Sequence, residues 1–433
     1  MNRETRAAPS FAEAFRFWLK LGFISFGGPT GQIAIMQAEL VDKRRWISQS
    51  RFLHALNFCM LLPGPEAQQL AIYIGWLLHR TWGGIVAGAL FVVPSIFILW
   101  ALSYIYAAFG NVPAIAAVFY GLKPAVLAIV AVAVIRIGRK ALRTYLLWLI
   151  ALLAFVAIFF LHLSFPFIVL GAAAIGFVGG RLFPKQFAAQ TDVDLAPAVL
   201  GDDASMPEHA RPSIIRAVKL LVVWSALWFA PTIAVGLWRG WQSTLFHEGI
   251  FFSKAAVVTF GGAYAVLPYV AQQALFQYGW LRPGQMMDGL ALAETTPGPL
   301  IMVLQFVGFI GAWQHPEGLS PLLAGTLGAL ITTWATFIPC FLWIFLGAPH
   351  IEQMRGNTKL NAALTAVTAA VVGVVLNLAV WFAINALFPA GHAVDGFAVL
   401  LCLAAFVAML YFKIDIIPVV LAAGLLGLVY KLF

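Results

Sequence analysis

Ser25-Phe26-Gly27-Gly28-Pro29 and, further along, Leu62-Pro63-Gly64-Pro65 are helix-breaking stretches set inside apolar chain. Both recur 234 residues later, without a gap, as Thr259-Phe260-Gly261-Gly262 and Thr296-Pro297-Gly298-Pro299. The same register lays Trp46 on Trp280, Lys20 on Lys254 and Phe17 on Phe251. Chance can supply one such match, but not this set in a single register. The chain is a duplication. Past the second motif the alignment needs gaps, although Pro94 with Pro339 and Asn111 with Asn357 keep the correspondence.

Around these motifs the composition sets the solvent. Of 433 residues, 62% are hydrophobic and 10% charged, whereas a soluble domain carries about 25% charged residues. Too few charges remain to cover a water-exposed surface. Apolar runs long enough to span a bilayer recur throughout, as in residues 146–161 and 394–412. The first ten residues are polar, so no cleaved signal peptide is expected. The net charge of +9 fits basic cytoplasmic loops better than nucleic acid, which is not expected as a partner. Cys59, Cys340 and Cys402 lie far apart in apolar segments and read as core residues rather than a disulfide or metal set. A polar stretch holding Asp192, Asp194, Asp202, Asp203 and Glu208 divides the chain. The expected organisation is a first repeat over 11–182, a polar cytoplasmic linker over 183–216, an extra transmembrane helix over 217–240 and a second repeat over 245–433.

Thirteen apolar segments can be counted, and the one near 217–238 has no counterpart in the first half. An unpaired crossing between the repeats inverts the second. Segments broken at FGG and PGP leave arms of about a dozen residues, enough to span half a bilayer at 1.5 Å per residue. Drawn as re-entrant hairpins, they place 20 of the 26 Lys and Arg on the cytoplasmic side; drawn as full crossings, they place 17 there. The positive-inside rule favours hairpins. The expected fold class is therefore an all-α polytopic membrane protein of two inverted homologous repeats with broken, re-entrant helices.

A broken helix inside a membrane needs its freed backbone buried or facing a polar cavity. Glycine permits the turn and proline suits the start of the helix that follows. The exposed N–H groups and the helix dipole then attract anions. Gly27, Gly28, Pro29 and Thr30 fit this best, with Gly261, Gly262, Pro63, Gly64, Pro65, Pro297, Gly298 and Pro299 as the related candidates for substrate binding. The competing reading is that the motifs are packing kinks. Lys20 and Lys254, each six residues before an FGG, are candidate counter-charges to the anion; snorkelling to an interface is the alternative. Glu66 and Glu294, beside the PGP motifs, are candidate proton-coupling groups, or else ion-pair or helix-cap partners. Gln32, Gln68, Gln69 and Gln305 line a polar path or bond neighbouring helices. Trp46 and Trp280 read as interface anchors. The scattered histidines lack metal-ligand spacing. No P-loop, HExxH or GxSxG is present, so neither an enzyme nor a cofactor is expected.

With those residues in view, the chain resembles the chromate ion transporter family in its long, two-domain form. Ser25 to Pro29, Glu39 to Trp46 and Leu62 to Pro65 carry the likeness in the first half. In the second half it rests on Thr259 to Gly262, Val266 to Pro268, Gly279 to Leu281 and Thr296 to Leu300. The resemblance implies a multi-pass carrier of the bacterial inner membrane that exports chromate, driven by the membrane potential or a proton gradient. Its implied partners are the oxyanion and the lipid bilayer, with a homodimer left open. A sulfate or other oxyanion carrier, or an anion channel, stands as the alternative. Ala263 and Tyr264 replace Pro29 and Thr30 in the second half, and Gln273 replaces Glu39, so the two sites are not expected to act alike.

Overall fold

The computed structural model describes residues 9–26, 28–60, 62–161, 163–187, 213–260, 262–350, 358–388 and 394–432. Among them the protein is all α-helical, and six helices are long and apolar enough to cross a membrane. Most of the expected linker, together with Gly27 and Gly261, lies outside the described residues.

Helices begin where the sequence supplies a cap. Ser10 opens α1 (Phe11–Ile24) by accepting from the Glu13 N–H. Ser48 does the same for α3 (Gln49–Cys59), and Ser243 for α9 (Thr244–Val258). Each cap satisfies a backbone donor that the first helical turn leaves orphaned. α1 stops at Ser25, and α2 (Gly28–Gln37) leads into a π-helical turn over Ala38–Lys43. The second half repeats this as α9, α10 (Ala263–Gln272) and a π-helical turn over Gln273–Gln277.

The end of each such segment returns to its own beginning. Arg44 Nη1 sits 3.4 Å from Glu13 Oε1, and the Trp46 ring lies 5.2 Å from Phe17. In the second half Trp280 lies 5.6 Å from Phe251. Both tryptophans are buried, which corrects their reading as interface anchors. They close the hairpin base by packing across it.

α4 (Glu66–Phe109) is two arms joined at His79 and Arg80, where the backbone leaves helical geometry. The arms fold back on each other so closely that a Cβ on Gly75 would fall 2.4 Å from the Gly83 carbonyl oxygen. His79 Nε2 reaches the Pro9 carbonyl at 2.9 Å, so the first arm ends beside the start of α1. The second arm runs on to Tyr106, whose hydroxyl donates to Asp288 at 2.9 Å in the first turn of α11 (Gln285–Thr295). There the ends of the second pair of hairpins gather. Gln314, closing α12 (Val303–Gln314), donates to the Trp280 carbonyl at 3.0 Å, and Glu317 accepts from the Thr244 N–H at 2.9 Å.

The remaining helices cross between the halves. α5 (Pro113–Ala141) packs on α15 (Gly396–Leu410) and α16 (Ile416–Leu432). Reciprocally, α14 (Thr358–Leu387) packs on α6 (Tyr145–Phe159) and α7 (Phe165–Leu182). Small residues permit these approaches: Gly121 meets Gly427, and Gly176 meets Ala362 and Ala366. α8 (Ile214–Arg239) lies against α9 and α13 (Pro321–Gly347). Phe167, Leu170, Leu400 and Leu425 stay exposed on the outside, forming an apolar surface suited to lipid rather than water.

Cysteines introduced singly at Arg45 and Arg80 are expected to react with an impermeant thiol reagent from one side of intact cells. Those at Arg282 and Glu317 should react from the other side. Labelling of all four from a single side would overturn the arrangement of hairpin bases.

Candidate functional site

The four breaks meet. Gly298 N–H donates to the Ser25 carbonyl at 2.7 Å, and Gly64 N–H donates to the Thr259 carbonyl at 2.7 Å. These bonds are equivalents under the duplication, so the PGP turn of each half is tied to the FGG turn of the other. The side chains repeat the exchange. Ser25 and Thr259 each donate at 2.6 Å to a carbonyl one turn back, at Leu21 and Ala255. The Ser95 hydroxyl donates to the Pro297 carbonyl beside one PGP, while Cys340 Sγ packs against Gly64 of the other.

Positive φ makes glycine necessary at these turns: +119° at Gly64, +101° at Gly298, +94° at Gly262 and +66° at Gly28. Space adds a second constraint. A Cβ on Gly298 would stand 1.7 Å from Ser95 Oγ, and one on Gly64 would stand 2.9 Å from Cys340 Sγ. Gly28 has no atom within 4 Å of that position. Gly28 opens α2, so Pro29 falls in its first turn, whereas Pro65 caps α4 and Pro299 caps the short 3₁₀ turn Leu300–Met302. Helix starts therefore point into the breaks, with Gly262 capping α10. Gln32 bonds the Gly298 carbonyl, and Gln69 bonds that of Pro63 at 2.7 Å. Gln68 and Gln305 reach the Gly88 and Ile96 carbonyls at 3.3 and 2.8 Å. These amides stitch helices together.

Two carboxyls complete the ring. Glu66 is buried with its Oε1 3.1 Å from where a Gly262 Cβ would stand. Glu294 is buried and accepts from the Tyr264 hydroxyl at 2.5 Å. Neither is in an ion pair among the described residues. Following the contacts from Ser25 to Gly298, through α11 to Glu294 and Tyr264, then Gly262, Glu66, Gly64 and Thr259, links all four breaks in one circuit.

The structure separates the lysines from this circuit. Lys20 and Lys254 are both exposed, and the expectation that they face a buried anion beside the breaks does not describe where they lie. Each sits more than a helical turn before its break, on an outward face. Gly27 and Gly261 lie outside the described residues, as does the side chain of Thr30.

One buried acid escaped the sequence reading. Glu248, in the first turns of α9, is fully buried, and neither carboxylate oxygen has a hydrogen-bond partner among the described residues. Its oxygens press on Gly311 and Gly328, 2.8 Å from where a Cβ would stand at each. Its counterpart in the first half is Ala14, so the duplication gave no signal for it. Proximity to a PGP motif, which picks out Glu66 and Glu294, does not reach it, whereas an acid set among apolar helical residues is itself a signal.

Asp288 forms a separate cluster at a hairpin base, with Lys123 Nζ 3.8 Å away and Tyr106 bonded to it. Among the described residues no group of three or more His, Cys, Asp or Glu is placed to hold a metal ion.

The chain matches the model of the family described as chromate transporter over residues 12–177 and 247–428. A chromate transport protein of Pseudomonas aeruginosa is 33% identical to it, over 98% of this chain and 94% of the relative. One of Cupriavidus metallidurans is 28% identical over the same shares. A probable chromate transport protein of Synechococcus elongatus is 28% identical over 85% of this chain and 83% of its own length. No solved structure matches the chain.

Gly298→Ala is expected to cost more than Gly28→Ala, because both lose a favourable φ but only the first collides with Ser95. Residues forced into such backbone regions cost about 1–3 kcal/mol. Thermal unfolding of the purified variants in detergent should rank them in that order, and equal midpoints would refute the crossing geometry.

Proposed function

We propose, from the premise that this chain belongs to the chromate transporter family, that it is a secondary active carrier exporting chromate across the cytoplasmic membrane of a bacterium. The observation that carries the reading is the circuit of four broken segments, where helix starts offer backbone N–H groups to an anion. Substrate contacts are assigned to Gly27, Gly28, Pro29, Thr30, Gly261 and Gly262, together with both PGP turns.

The electrostatics of that circuit favour coupling to protons. Its acids are Glu66, near Cys59 and Cys340, and Glu294, bonded to Tyr264 with Arg136 at longer range, and no lysine or arginine forms an ion pair with either acid among the described residues. An oxyanion entering beside two carboxylates is repelled, and beside two carboxylic acids it is not. Anion binding is therefore sensitive to the protonation of this pair, which sets the pH dependence, while the outward driving force is assigned to the membrane potential acting on the dianion. The membrane potential supplies about 2.3 kcal/mol per charge per 100 mV, and this pushes a dianion outward from a negative interior.

The halves are read as inverted repeats. Supporting this, the first pair of hairpins has its ends around Glu13, Arg44 and His79, and the second pair around Gln314, Trp280 and Asp288. The long arm of α4 runs from one group to the other. Alternating access then follows from rocking one pair of hairpins against the other about the shared breaks. Sulfate has the same tetrahedral dianion geometry and is the substrate to compare.

Reconstituted in liposomes, the wild-type chain is expected to take up chromate saturably, at a rate that rises with the imposed potential and depends on pH. Glu66→Gln and Glu294→Gln should each flatten that pH dependence. An unchanged profile in both would remove the carboxyls from the mechanism, and ohmic single-channel current would replace the carrier by a channel.

A further inference from the structure

At the base of the first hairpin, away from the four breaks, a surface cavity of about 320 Å³ is lined by Ser10, Ala12, Glu13, Arg16, Phe17, Lys20 and Arg44. Three of these side chains are cationic and one is anionic. The volume is roughly ten times the ~30 Å³ that a water molecule occupies in the liquid, ample for a hydrated tetrahedral anion. Arg16 and Lys20 are one turn apart on α1 and so share a face. Arg44 comes from the other side of the hairpin base. Its guanidinium carbon is held 5.0 Å from the centroids of both Phe17 and Trp46, with Glu13 at 3.4 Å and Glu39, itself bonded to Lys43, at 3.8 Å. Stacking of this kind fixes the arginine, and with Glu13 and Glu39 offsetting part of the charge, Arg16 and Lys20 supply the remaining excess of positive charge.

The second half shows what the same scaffold looks like without these charges. Under the duplication Arg16 becomes Ile250, Arg44 becomes Tyr278 and Glu13 becomes His247, with Lys254 alone retained. Tyr278 takes the place of the guanidinium by stacking on Trp280 at 4.2 Å and packing on Phe251 at 5.5 Å. An aromatic plug thus does the structural work of closing that hairpin base. Structure alone does not require the cationic set in the first half.

We propose that the Arg16–Lys20–Arg44 cavity is an oxyanion-binding vestibule, taking either a free tetrahedral dianion or the phosphate of an anionic lipid headgroup. Both ligands present the same chemistry, several oxygens around a central atom with net negative charge, to donors on two sides of the cavity. Lys20 lies five residues before Ser25, about 7.5 Å along the helix axis, so an anion held there waits one and a half turns short of the first break. The vestibule is a separate site, and its existence does not depend on transport through the breaks.

The test is equilibrium binding of radiolabelled sulfate to the full chain in nanodiscs of phosphatidylcholine, at low and high salt. Wild type should bind with an affinity that falls steeply with salt. Arg16→Gln combined with Lys20→Gln should weaken binding at least tenfold, whereas Lys254→Gln should not. Both changed residues of the double variant are exposed, so its folding is not at stake. A second arm adds phosphatidylglycerol to the discs: displacement of sulfate in wild type, with lipid retention lost in the double variant, identifies the lipid phosphate as occupant. Sulfate binding that survives the added lipid identifies the free dianion. If wild type and the double variant bind sulfate equally and retain equal lipid, or if wild type binds neither, the proposal is overturned, whatever the outcome for chromate transport.

Discussion

Two backbone hydrogen bonds, Gly298 to Ser25 and Gly64 to Thr259, are the constraint on which this architecture rests. A helix interrupted inside a membrane leaves donors and acceptors that lipid cannot satisfy. Here each half's PGP turn finds its acceptor in the other half's FGG turn, so neither half is complete alone. The reciprocal packing of α5 on α15 and α16, and of α14 on α6 and α7, extends the same dependence to the outer helices. Interlocking explains why the turns tolerate so little. A positive φ demands glycine, and at Gly298 the neighbouring Ser95 leaves no room even for a methyl group.

Symmetry in the backbone is joined to asymmetry in the charges. Glu66 stands opposite Leu300 in the duplication, and Glu294 opposite Met60, so each half contributes one acid to the circuit at a different place. Glu248 occurs in the second half only, and the Arg16 and Arg44 charges in the first only. The duplicated scaffold is thus symmetric in its turns and unequal in its charges.

Much of this was legible in the sequence, for identifiable reasons. The turns at Gly64 and Gly298 are local chemistry, set by the conformational freedom of glycine between prolines. The duplication emerged from register alone. Residues whose role depends on which way a helix faces were not legible. Lys20 and Lys254 kept their register but point outward, because the hairpin arms bury the opposite face of α1 and α9. Residue type points Trp46 and Trp280 to an interface, yet each is buried by the return of its own hairpin onto Phe17 or Phe251.

The all-helical membrane class, the twofold repetition and the positions of the four breaks are written into the order of the residues. Those follow from composition, register and the conformational limits of glycine and proline, which act within a few residues. Folding in three dimensions is what closes the breaks of one half on those of the other, leaves Glu66 and Glu294 without an ion pair among the described residues, and seals Glu248 beneath two glycines. Hydrogen-bond partners hundreds of residues apart are set by packing, and the same local motif would be equally content with a partner in its own half. What joins the FGG and PGP motifs is the cost of an unsatisfied backbone in an apolar interior, and that cost is met only once the chain has folded.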